Sequence, residues 1–348
     1  MTPTGDDALM RRAMDAARHD HPHPNPRVGA VLVAETGEVV STGSHRGPGE
    51  PHAEVVALNQ AGAGAKGGTL YVTLEPCSHY GRTPPCVSAI ATSQVARVVV
   101  GAIDPDERVS GSGVSWLRDA GIRVDVLPGD EYEQLDPGYF RHRRSGLPRI
   151  TLKWAMTLDG SVAALDSSSQ WITSEEARED AHRLRAEADA VVVGAGTLRS
   201  DDPLLTARTE PEPETQPSPV IVAGVGELPH DRRLWQRDPI VVSTCDISIP
   251  SGELVVVEGG AVPDPASAAR ALAEAGFLDL LLEGGPTLAA AWWRAGLVNK
   301  GVVYVAGRIG GGKGLSPFGG DFATMSDLGT VAITDVRRIG ADVRLEFE

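Results

Sequence analysis

The sequence predicts an α/β protein of two domains, and three observations support that prediction. The chain has 348 residues, which exceeds the usual length of one domain. Strand and helix patterns alternate through both halves. A basic segment over 140–149, which contains Gly146 and Pro148, interrupts the alternation between the halves. We therefore expect one domain at residues 1–146 and a second at residues 147–348.

Apolar periodicity defines the elements of the first half. Apolar residues at i, i+3 and i+4 spacing predict an amphipathic helix over 6–18. Two apolar runs joined by Thr36-Gly37 predict a β-hairpin over 28–33 and 38–42. The remaining predicted elements are helices at 52–61, from Pro85 onward and at 113–120, and strands at 70–73, 97–101 and 122–126.

The second half shows the same alternation. Ser174 is the expected N-cap of a helix over 174–188, and Glu175 and Glu176 favour its first turn. A polar, proline-rich stretch over 210–219 is expected to be a loop. The other predicted helices lie at 265–275 and 287–295, and the predicted strands lie at 150–155, 190–193, 220–223, 240–243, 254–257, 278–282 and 302–305.

Composition restricts the classes of function. The net charge of −15 disfavours broad nucleic-acid binding, which needs a basic surface. Three cysteines are a poor disulfide framework and fit a reducing compartment better. We find neither a signal-peptide pattern nor an apolar run of about 18 residues, so we expect a cytoplasmic protein that does not span a membrane.

His52, Cys77 and Cys86 form the most informative pattern in the chain. One imidazole and two thiolates are good zinc ligands, and a set of three leaves the fourth position for water, as in catalytic zinc sites. Glu54 lies two residues after the histidine, where it can transfer protons as the glutamate of zinc nucleobase deaminases does. The alternative is a loop histidine and two buried apolar cysteines; the combined pattern favours zinc.

Two glycine-rich segments follow predicted strands of the second half. They are Gly194-Ala195-Gly196-Thr197 and Glu283-Gly284-Gly285-Pro286-Thr287. Glycines at a strand-to-helix turn let backbone N–H groups approach a pyrophosphate. Neither segment is the G-x-G-x-x-G fingerprint of dinucleotide-binding folds, and a purely structural turn is about as good an explanation of each.

Longer motifs in the first half carry a resemblance to known families. His52-Ala53-Glu54 with Glu75-Pro76-Cys77 is similar to the cytidine deaminase superfamily, and the runs 73–86 and 23–29 closely resemble the riboflavin-biosynthesis pyrimidine deaminases. The resemblance implies a three-layer cytidine-deaminase-like fold. It also implies contacts to a ribosylated pyrimidine phosphate from Asn25, His45, His79, Arg82 and Asp104. Asp106 departs from the family pattern, which usually has asparagine there.

Several motifs in the second half, taken in their order along the chain, resemble those of the reductases of the same pathway. The fold of these reductases is similar to dihydrofolate reductase. These motifs are Leu152-Lys153, Leu158-Asp159-Gly160, the run 169–173, Asp201-Asp202-Pro203 with Leu205, Thr206 and Arg208, and the run 283–287. The resemblance implies that NADPH reduces a ribosyl group to a ribityl group. The segment 222–226 departs from the family pattern.

The resemblance also implies roles for individual residues of the second half. Lys153 and Glu283 would flank the reacting sugar as catalytic residues. The implied substrate-binding residues are Ser169, Arg185, Leu205 and Arg208. The implied cofactor-binding residues are Met156, Trp171, Thr197, Asp201, Gly285, Pro286, Thr287, Leu288, Ala289, Ala290 and Ala291.

These observations favour a bifunctional enzyme of riboflavin biosynthesis. A zinc site in the first domain would deaminate a diamino-ribosylamino-pyrimidinone 5′-phosphate, and the second domain would reduce the product with NADPH. One alternative is a deaminase of another nucleobase with a non-catalytic second domain. Another is a catalytically silent scaffold for pathway enzymes. The family resemblance further suggests a homo-oligomer, a dimer or a tetramer.

Overall fold

The computed structural model describes residues 5–18, 20–81, 83–165, 171–312, 314–318 and 329–348. The chain divides into two units, Met1–Gly146 and Leu147–Glu348, each with its own β-sheet. None of the helices in the described ranges is both long enough and apolar enough to cross a membrane.

A five-stranded sheet forms the centre of the first unit in the described ranges. Its strands are β1 (Gly29–Val33), β2 (Val39–Ser44), β3 (Thr69–Leu74), β4 (Arg97–Ala102) and β5 (Arg123–Val126). The helices are α1 (Gly5–Ala17), α2 (Ala53–Ala61), α3 (Cys86–Thr92), α4 (Ser112–Asp119) and α5 (Pro137–Ser145). The order is β2-β1-β3-β4-β5, in which β1 is antiparallel to both neighbours and β3, β4 and β5 are parallel.

Two glycines show that helices α1 and α2 lie on opposite faces of this sheet. A Cβ on Gly29 would lie 1.9 Å from the Ala13 carbonyl oxygen of α1, and a Cβ on Gly43 would lie 2.4 Å from the Ala53 carbonyl oxygen of α2. Gly43 pairs with Ala30, the neighbour of Gly29, so the two glycines face opposite sides of the pleat. The first unit is therefore a helix–sheet–helix structure, which confirms the predicted three-layer fold.

A nine-stranded mixed sheet forms the centre of the second unit in the described ranges. Its strands are β6 (Arg149–Thr157), β7 (Ala190–Gly194), β8 (Ser218–Val222), β9 (Ile240–Ser243), β10 (Glu253–Val256), β11 (Asp279–Leu282), β12 (Lys300–Ala306), β13 (Ile333–Ile339) and β14 (Asp342–Phe347). The helices are α6 (Glu175–Glu187), α7 (Ala195–Asp201), α8 (Pro265–Glu274) and α9 (Pro286–Arg294). The order is β10-β9-β8-β7-β11-β6-β12-β14-β13, and only the pairs made by β14 are antiparallel.

The predicted helices and strands are all present, with ends shifted by at most two residues. Ser174 is the N-cap of α6, and its Oγ accepts a hydrogen bond from the Ala177 N–H. Much of the basic segment over 140–149, where the domain boundary was predicted, belongs to helix α5, which was not predicted. The Asp136 carboxylate caps this helix by accepting from the Tyr139 N–H, and Gly146 ends it with a left-handed φ of 71°.

Helix α7 and the β13–β14 hairpin were not predicted from the sequence. The glycines at 194 and 196 favoured an isolated turn at the position where α7 starts. In the structure, Gly194 is the N-cap residue of α7. In β14 the buried side carries Arg344, whose guanidinium lies 3.0 Å from the Asp180 carboxylate, while Val343 is exposed. A strand that buries its charge and exposes its apolar residue inverts the pattern on which such predictions rest.

Candidate active sites

The three predicted zinc ligands meet at the ends of three elements of the first unit. Cys77 follows strand β3, His52 immediately precedes α2, and Cys86 is the first residue of α3. His52 Nδ1 lies 3.1 Å from Cys86 Sγ and 3.6 Å from Cys77 Sγ, and the Cys86 N–H donates to Cys77 Sγ at 3.3 Å. All three possible ligand atoms lie within 4.8 Å of one another.

This geometry fits a zinc ion. Zinc bonds of about 2.3 Å to sulfur and about 2.0 Å to nitrogen place tetrahedral ligand atoms roughly 3.3–3.8 Å apart, close to the separations found here. His52 Nε2 lies 3.4 Å from Thr83 Oγ1, a contact that can orient the ring behind the ligand. A hydrogen bond with the Cys86 thiol lowers the pKa of Cys77 to about 4. The site thus already favours a thiolate, the form of cysteine that binds metal.

Glu54 is almost fully buried beside these ligands. It is the second residue of α2, its exposed fraction is 3%, and it lines the same cavity as His52 and Cys77. Burial raises the pKa of the Glu54 carboxyl, because the charged form loses its hydration. A carboxyl group with a raised pKa is well suited to take up and release a proton near neutral pH.

The cavity over the ligands has a volume of about 380 Å³. Four of the predicted substrate-binding residues line it: Asn25, His45, His79 and Asp104. The fifth, Arg82, lies outside the described residues. The lining also contains Arg108, Tyr139 and Arg143, which sequence analysis did not identify. No short-range pattern marks these three, since they reach the cavity from segments far from the ligand motifs.

Asn25 and His45 form a hydrogen-bonded pair in this wall. His45 Nδ1 lies 3.1 Å from the Pro51 carbonyl oxygen, and His45 Nε2 lies 2.9 Å from Asn25 Nδ2. A carbonyl oxygen only accepts, so Nδ1 carries the proton and Nε2 accepts from the Asn25 amide nitrogen. Burial lowers the pKa of His45, which favours this neutral form. The pair therefore orients the Asn25 amide at the cavity.

Asp104 is held in the cavity wall from two sides. Tyr139 Oη donates to Asp104 Oδ1 at 3.1 Å, and the Asp106 N–H donates to the same oxygen at 2.9 Å. Burial raises the pKa of Asp104. The Asp106 side chain, at the position that departs from the family pattern, instead accepts from Arg108 Nε at 2.9 Å and from Arg108 Nη2 at 2.6 Å.

Glu75 is a further residue of this site that sequence analysis passed over as part of a motif. It is buried, and its Oε1 accepts from the N–H groups of Gly113 and Val114 at 2.9 and 3.1 Å. Its Oε2 accepts from the N–H groups of Gly111 and Asp104 at 2.8 and 3.3 Å. One carboxylate thus ties the start of α4 and the Asp104 loop to the strand that leads to Cys77.

We expect Glu75→Gln to destabilise the first unit. The new NH₂ group cannot accept, so buried N–H donors lose their partner at roughly 1–3 kcal/mol each. Denaturant unfolding should show the loss, and Glu133→Gln is the matched control, because Glu133 forms an exposed pair with Arg144 that contributes little. An unfolding midpoint equal to that of the control would contradict this role of Glu75.

The register of the second sheet brings Lys153 and Glu283 together. Strands β6 and β11 are parallel neighbours in which Leu152 pairs with Leu282, so the next residue of each chain segment lies at the same level. Lys153 Nζ is 3.5 Å from Glu283 Oε2. Arg185 of α6 binds the same carboxylate with two hydrogen bonds, Nε to Oε1 at 2.7 Å and Nη2 to Oε2 at 3.0 Å.

This triad keeps Glu283 ionised. Burial by itself would raise the pKa of the Glu283 carboxyl, but the charges of Arg185 and Lys153 outweigh burial and lower it well below its usual range. The charge of Glu283 in turn raises the pKa of Arg185 against the effect of its own burial. The site therefore presents a fixed carboxylate beside an ammonium group at the edge of a cavity.

That cavity has a volume of about 960 Å³ and lies at the carboxyl ends of neighbouring parallel strands. It is lined by both glycine-rich turns, at the starts of α7 and α9, and by the segment 222–226. Helix N-termini and backbone N–H groups at such an edge suit the phosphates of a dinucleotide. The segment 222–226, which departs from the family pattern, therefore lies in the wall of this cavity.

Most of the predicted cofactor-binding residues line this cavity: Trp171, Thr197, Asp201, Gly285, Pro286, Thr287, Leu288, Ala289 and Ala291. Ala290 does not line the cavity, because successive residues of a helix point in different directions around its axis. Met156 also lies outside the lining. Trp171 is 56% exposed, with the Arg178 guanidinium 4.6 Å from its ring centroid, so it is not a core residue.

The predicted substrate-binding residues of the second unit have different surroundings. None of Arg185, Leu205 and Arg208 is among the residues that line the cavity. Arg185 contacts Glu283, which does line it, and Leu205 is 2% exposed in an apolar cluster. Arg208 is exposed, and its Nη2 lies 3.0 Å from His182 Nε2. Ser169 lies outside the described residues.

Two family models match the two halves of the chain. The cytidine and deoxycytidylate deaminase zinc-binding region matches residues 3–102, and the RibD C-terminal domain matches residues 148–345. Fold and sites together define a two-domain enzyme class that joins a zinc deaminase to a reductase. The riboflavin biosynthesis protein RibD of Aquifex aeolicus is 41% identical, with 99% of this chain and 98% of that protein covered. The chain belongs to the RibD family of riboflavin biosynthesis proteins.

Solved structures support the same assignment. RibD of Acinetobacter baumannii superposes with a TM-score of 0.89 at 33% identity, covering 98% of each chain. A diaminohydroxyphosphoribosylaminopyrimidine deaminase/5-amino-6-(5-phosphoribosylamino)uracil reductase of Thermotoga maritima superposes with a TM-score of 0.88 at 31% identity, again covering 98% of each chain. The family predicted from the sequence motifs is thereby confirmed.

Proposed function

We propose that the chain catalyses two consecutive steps of riboflavin biosynthesis. The first is hydrolytic deamination of 2,5-diamino-6-ribosylamino-4(3H)-pyrimidinone 5′-phosphate, and the second is reduction of 5-amino-6-(5-phosphoribosylamino)uracil with NADPH. The observation that carries this proposal is the pair of preassembled sites in one chain. The Thermotoga maritima relative, which bears both activities in its name, supports the choice of substrates.

In the deaminase site, His52, Cys77 and Cys86 would hold a zinc ion, which would supply the Lewis acid that activates water. The overall reaction adds water to the ring carbon and releases its amino group as ammonia. The Glu54 carboxylate takes the proton of the attacking water and, as a carboxylic acid, returns it to the departing nitrogen. We assign substrate contacts to Asn25, His45, His79, Arg82 and Asp104.

In the reductase site, bound NADPH supplies the hydride. Lys153 and Glu283 flank the reacting sugar. The Lys153 ammonium group donates a hydrogen bond or a proton to the sugar, and the Glu283 carboxylate holds this ammonium group in place. We assign substrate contacts to Ser169, Arg185 and Arg208, and leave out the almost fully buried Leu205. The cofactor contacts are assigned to Trp171, Thr197, Asp201, the run 285–289 and Ala291, without Met156 and Ala290.

The two activities are assigned to residues 1–146 and 147–348. The bounds of the two structural units and the family matches at 3–102 and 148–345 support this division. We also propose a cytoplasmic homo-oligomer, a dimer or a tetramer. Strand β13 lies at a sheet edge in the described ranges and exposes Ile333 and Val336, which supports self-association. Light scattering after size-exclusion chromatography measures the oligomer.

A coupled assay tests the function. GTP cyclohydrolase II makes the deaminase substrate from GTP in the cuvette, and ammonia release and NADPH oxidation are recorded together. Ammonia release without NADPH, followed by stoichiometric NADPH oxidation when it is added, is the expected result. Ammonia release alone would support only the deaminase assignment. If zinc-loaded protein gave neither signal, the assignment of the substrate would be contradicted.

Metal removal should separate the two activities. Chelation of zinc is expected to abolish ammonia release, because the metal activates the attacking water. The ligands His52, Cys77 and Cys86 all belong to the first unit. NADPH oxidation by the second unit should therefore persist when the deaminated substrate is supplied directly. The apo protein should also melt at a lower temperature, since a ligand that binds only the folded state stabilises it. Full deamination by metal-free protein would exclude the zinc mechanism.

A further inference from the structure

We propose that His182 is a positioning residue of the reductase, which holds the guanidinium of Arg208 in place for the phosphate of the substrate. This inference rests on the proposed function, in which Arg208 binds the substrate. Neither the sequence motifs nor the family matches assign a role to His182.

Two hydrogen bonds define the state of the His182 ring. Its Nδ1 lies 3.1 Å from the Thr206 carbonyl oxygen, and its Nε2 lies 3.0 Å from Arg208 Nη2. The carbonyl only accepts and the guanidinium only donates. Nδ1 must therefore carry the proton, and the Nε2 lone pair must accept from Arg208. Only the neutral Nδ1–H tautomer makes both bonds.

The surroundings keep the ring in this neutral form. Burial and the positive charges of Arg185 and Arg208 lower the pKa of His182 to about 4, although the negative charge of Glu283 acts in the opposite direction. At neutral pH the Nε2 lone pair is therefore available to Arg208. A histidine between two arginines serves here as a hydrogen-bond acceptor and carries no charge.

A continuous network connects this histidine to the active site. Arg185 lies one turn after His182 on α6, and its Nη1 donates to the same Thr206 carbonyl at 3.0 Å. The other side of the Arg185 guanidinium binds Glu283, which lines the large cavity. The segment that bears Thr206 and Arg208 is thus attached to the catalytic carboxylate through α6.

This arrangement orients the Arg208 guanidinium before an anion binds. His182 uses one of the five N–H donors of the guanidinium and restricts its rotamers, leaving the planar fork to bind phosphate oxygens in pairs. An exposed arginine that is already oriented loses less conformational entropy on binding. Without His182, the substrate must order Arg208 itself, so binding weakens while the chemical step is unaffected.

Two substitutions separate the roles of the two ring nitrogens. Asparagine can keep the donor to Thr206 but is too short to accept from Arg208, whereas glutamine can reach Arg208 with its carbonyl oxygen. We expect His182→Asn to raise KM for 5-amino-6-(5-phosphoribosylamino)uracil about tenfold, with kcat within about twofold. His182→Gln should stay close to wild type. The exposed His230 provides the control His230→Asn, and melting temperatures report folding.

A double-mutant cycle decides whether His182 acts through Arg208. Arg208→Ala should raise KM, and adding His182→Asn to it should cause little further change. Additive effects, or a His182→Asn enzyme with wild-type KM, would overturn the role of His182 alone. An unchanged KM in Arg208→Ala would remove Arg208 from the substrate site and His182 with it. An inactive wild-type reductase would instead contradict the proposed function on which both depend.

Discussion

Glu54→Gln is expected to lower the rate of ammonia release by about 10²–10⁴-fold, the usual contribution of a general acid–base group. Glutamine has nearly the same shape but cannot carry a proton from water to the departing nitrogen. The ligands His52, Cys77 and Cys86 are untouched, so zinc content should stay at one ion per chain. Ammonia release is measured with the coupled assay.

The control for this variant is Glu38→Gln, which changes an exposed residue in the turn before β2. It should leave ammonia release unchanged. NADPH oxidation by the Glu54→Gln protein should reach the wild-type rate when the deaminated substrate is supplied directly. If the variant released ammonia as fast as wild type, Glu54 would not be the proton carrier.

Lys153→Ala is expected to produce the complementary defect. NADPH oxidation should fall by about 10²–10⁴-fold, because the ammonium group that we assign to the reacting sugar is lost. Ammonia release should be unaffected, since the deaminase residues belong to the other unit. The Arg185 hydrogen bonds to Glu283 remain and continue to neutralise the buried carboxylate, so the protein should fold. Absorbance at 340 nm measures the oxidation.

Lys300→Ala is the matched control for this experiment. Lys300 begins the neighbouring strand β12 and has a carboxylate partner of its own, with its Nζ 2.6 Å from Glu346. It does not line the large cavity. Equal losses of NADPH oxidation in the Lys153 and Lys300 variants would show that the defect is one of general stability and would contradict a catalytic role for Lys153.

The reaction class could be predicted from a short stretch of sequence because zinc chemistry demands particular atoms. His52, Cys77 and Cys86 are recognisable as ligands before their positions are known, and Glu54 is recognisable by its spacing from His52. The structure places them at element ends where their ligand atoms converge. Family-type motifs extended the prediction to the reductase, and relatives confirm that assignment.

Residues that act through other residues could not be predicted in this way. Glu75 binds backbone N–H groups at residues 104–114, and Tyr139 reaches Asp104 across 35 positions. Backbone groups leave no signature in a sequence, and a tyrosine has no motif of its own. The same holds for His182, whose partners are a carbonyl oxygen and one nitrogen of Arg208.

Sequence alone determined most of the helices and strands, the two-domain α/β class and the chemistry of the metal ligands, because periodicity and ligand type are local properties. Tertiary structure decided which side chains share a cavity and in which protonation state. Glu283 stays ionised only because β-sheet register and α6 place Lys153 and Arg185 against it. Ala290 lies in the predicted cofactor run but does not line the cavity, because the packing of helix α9 decides which of its sides faces the cavity.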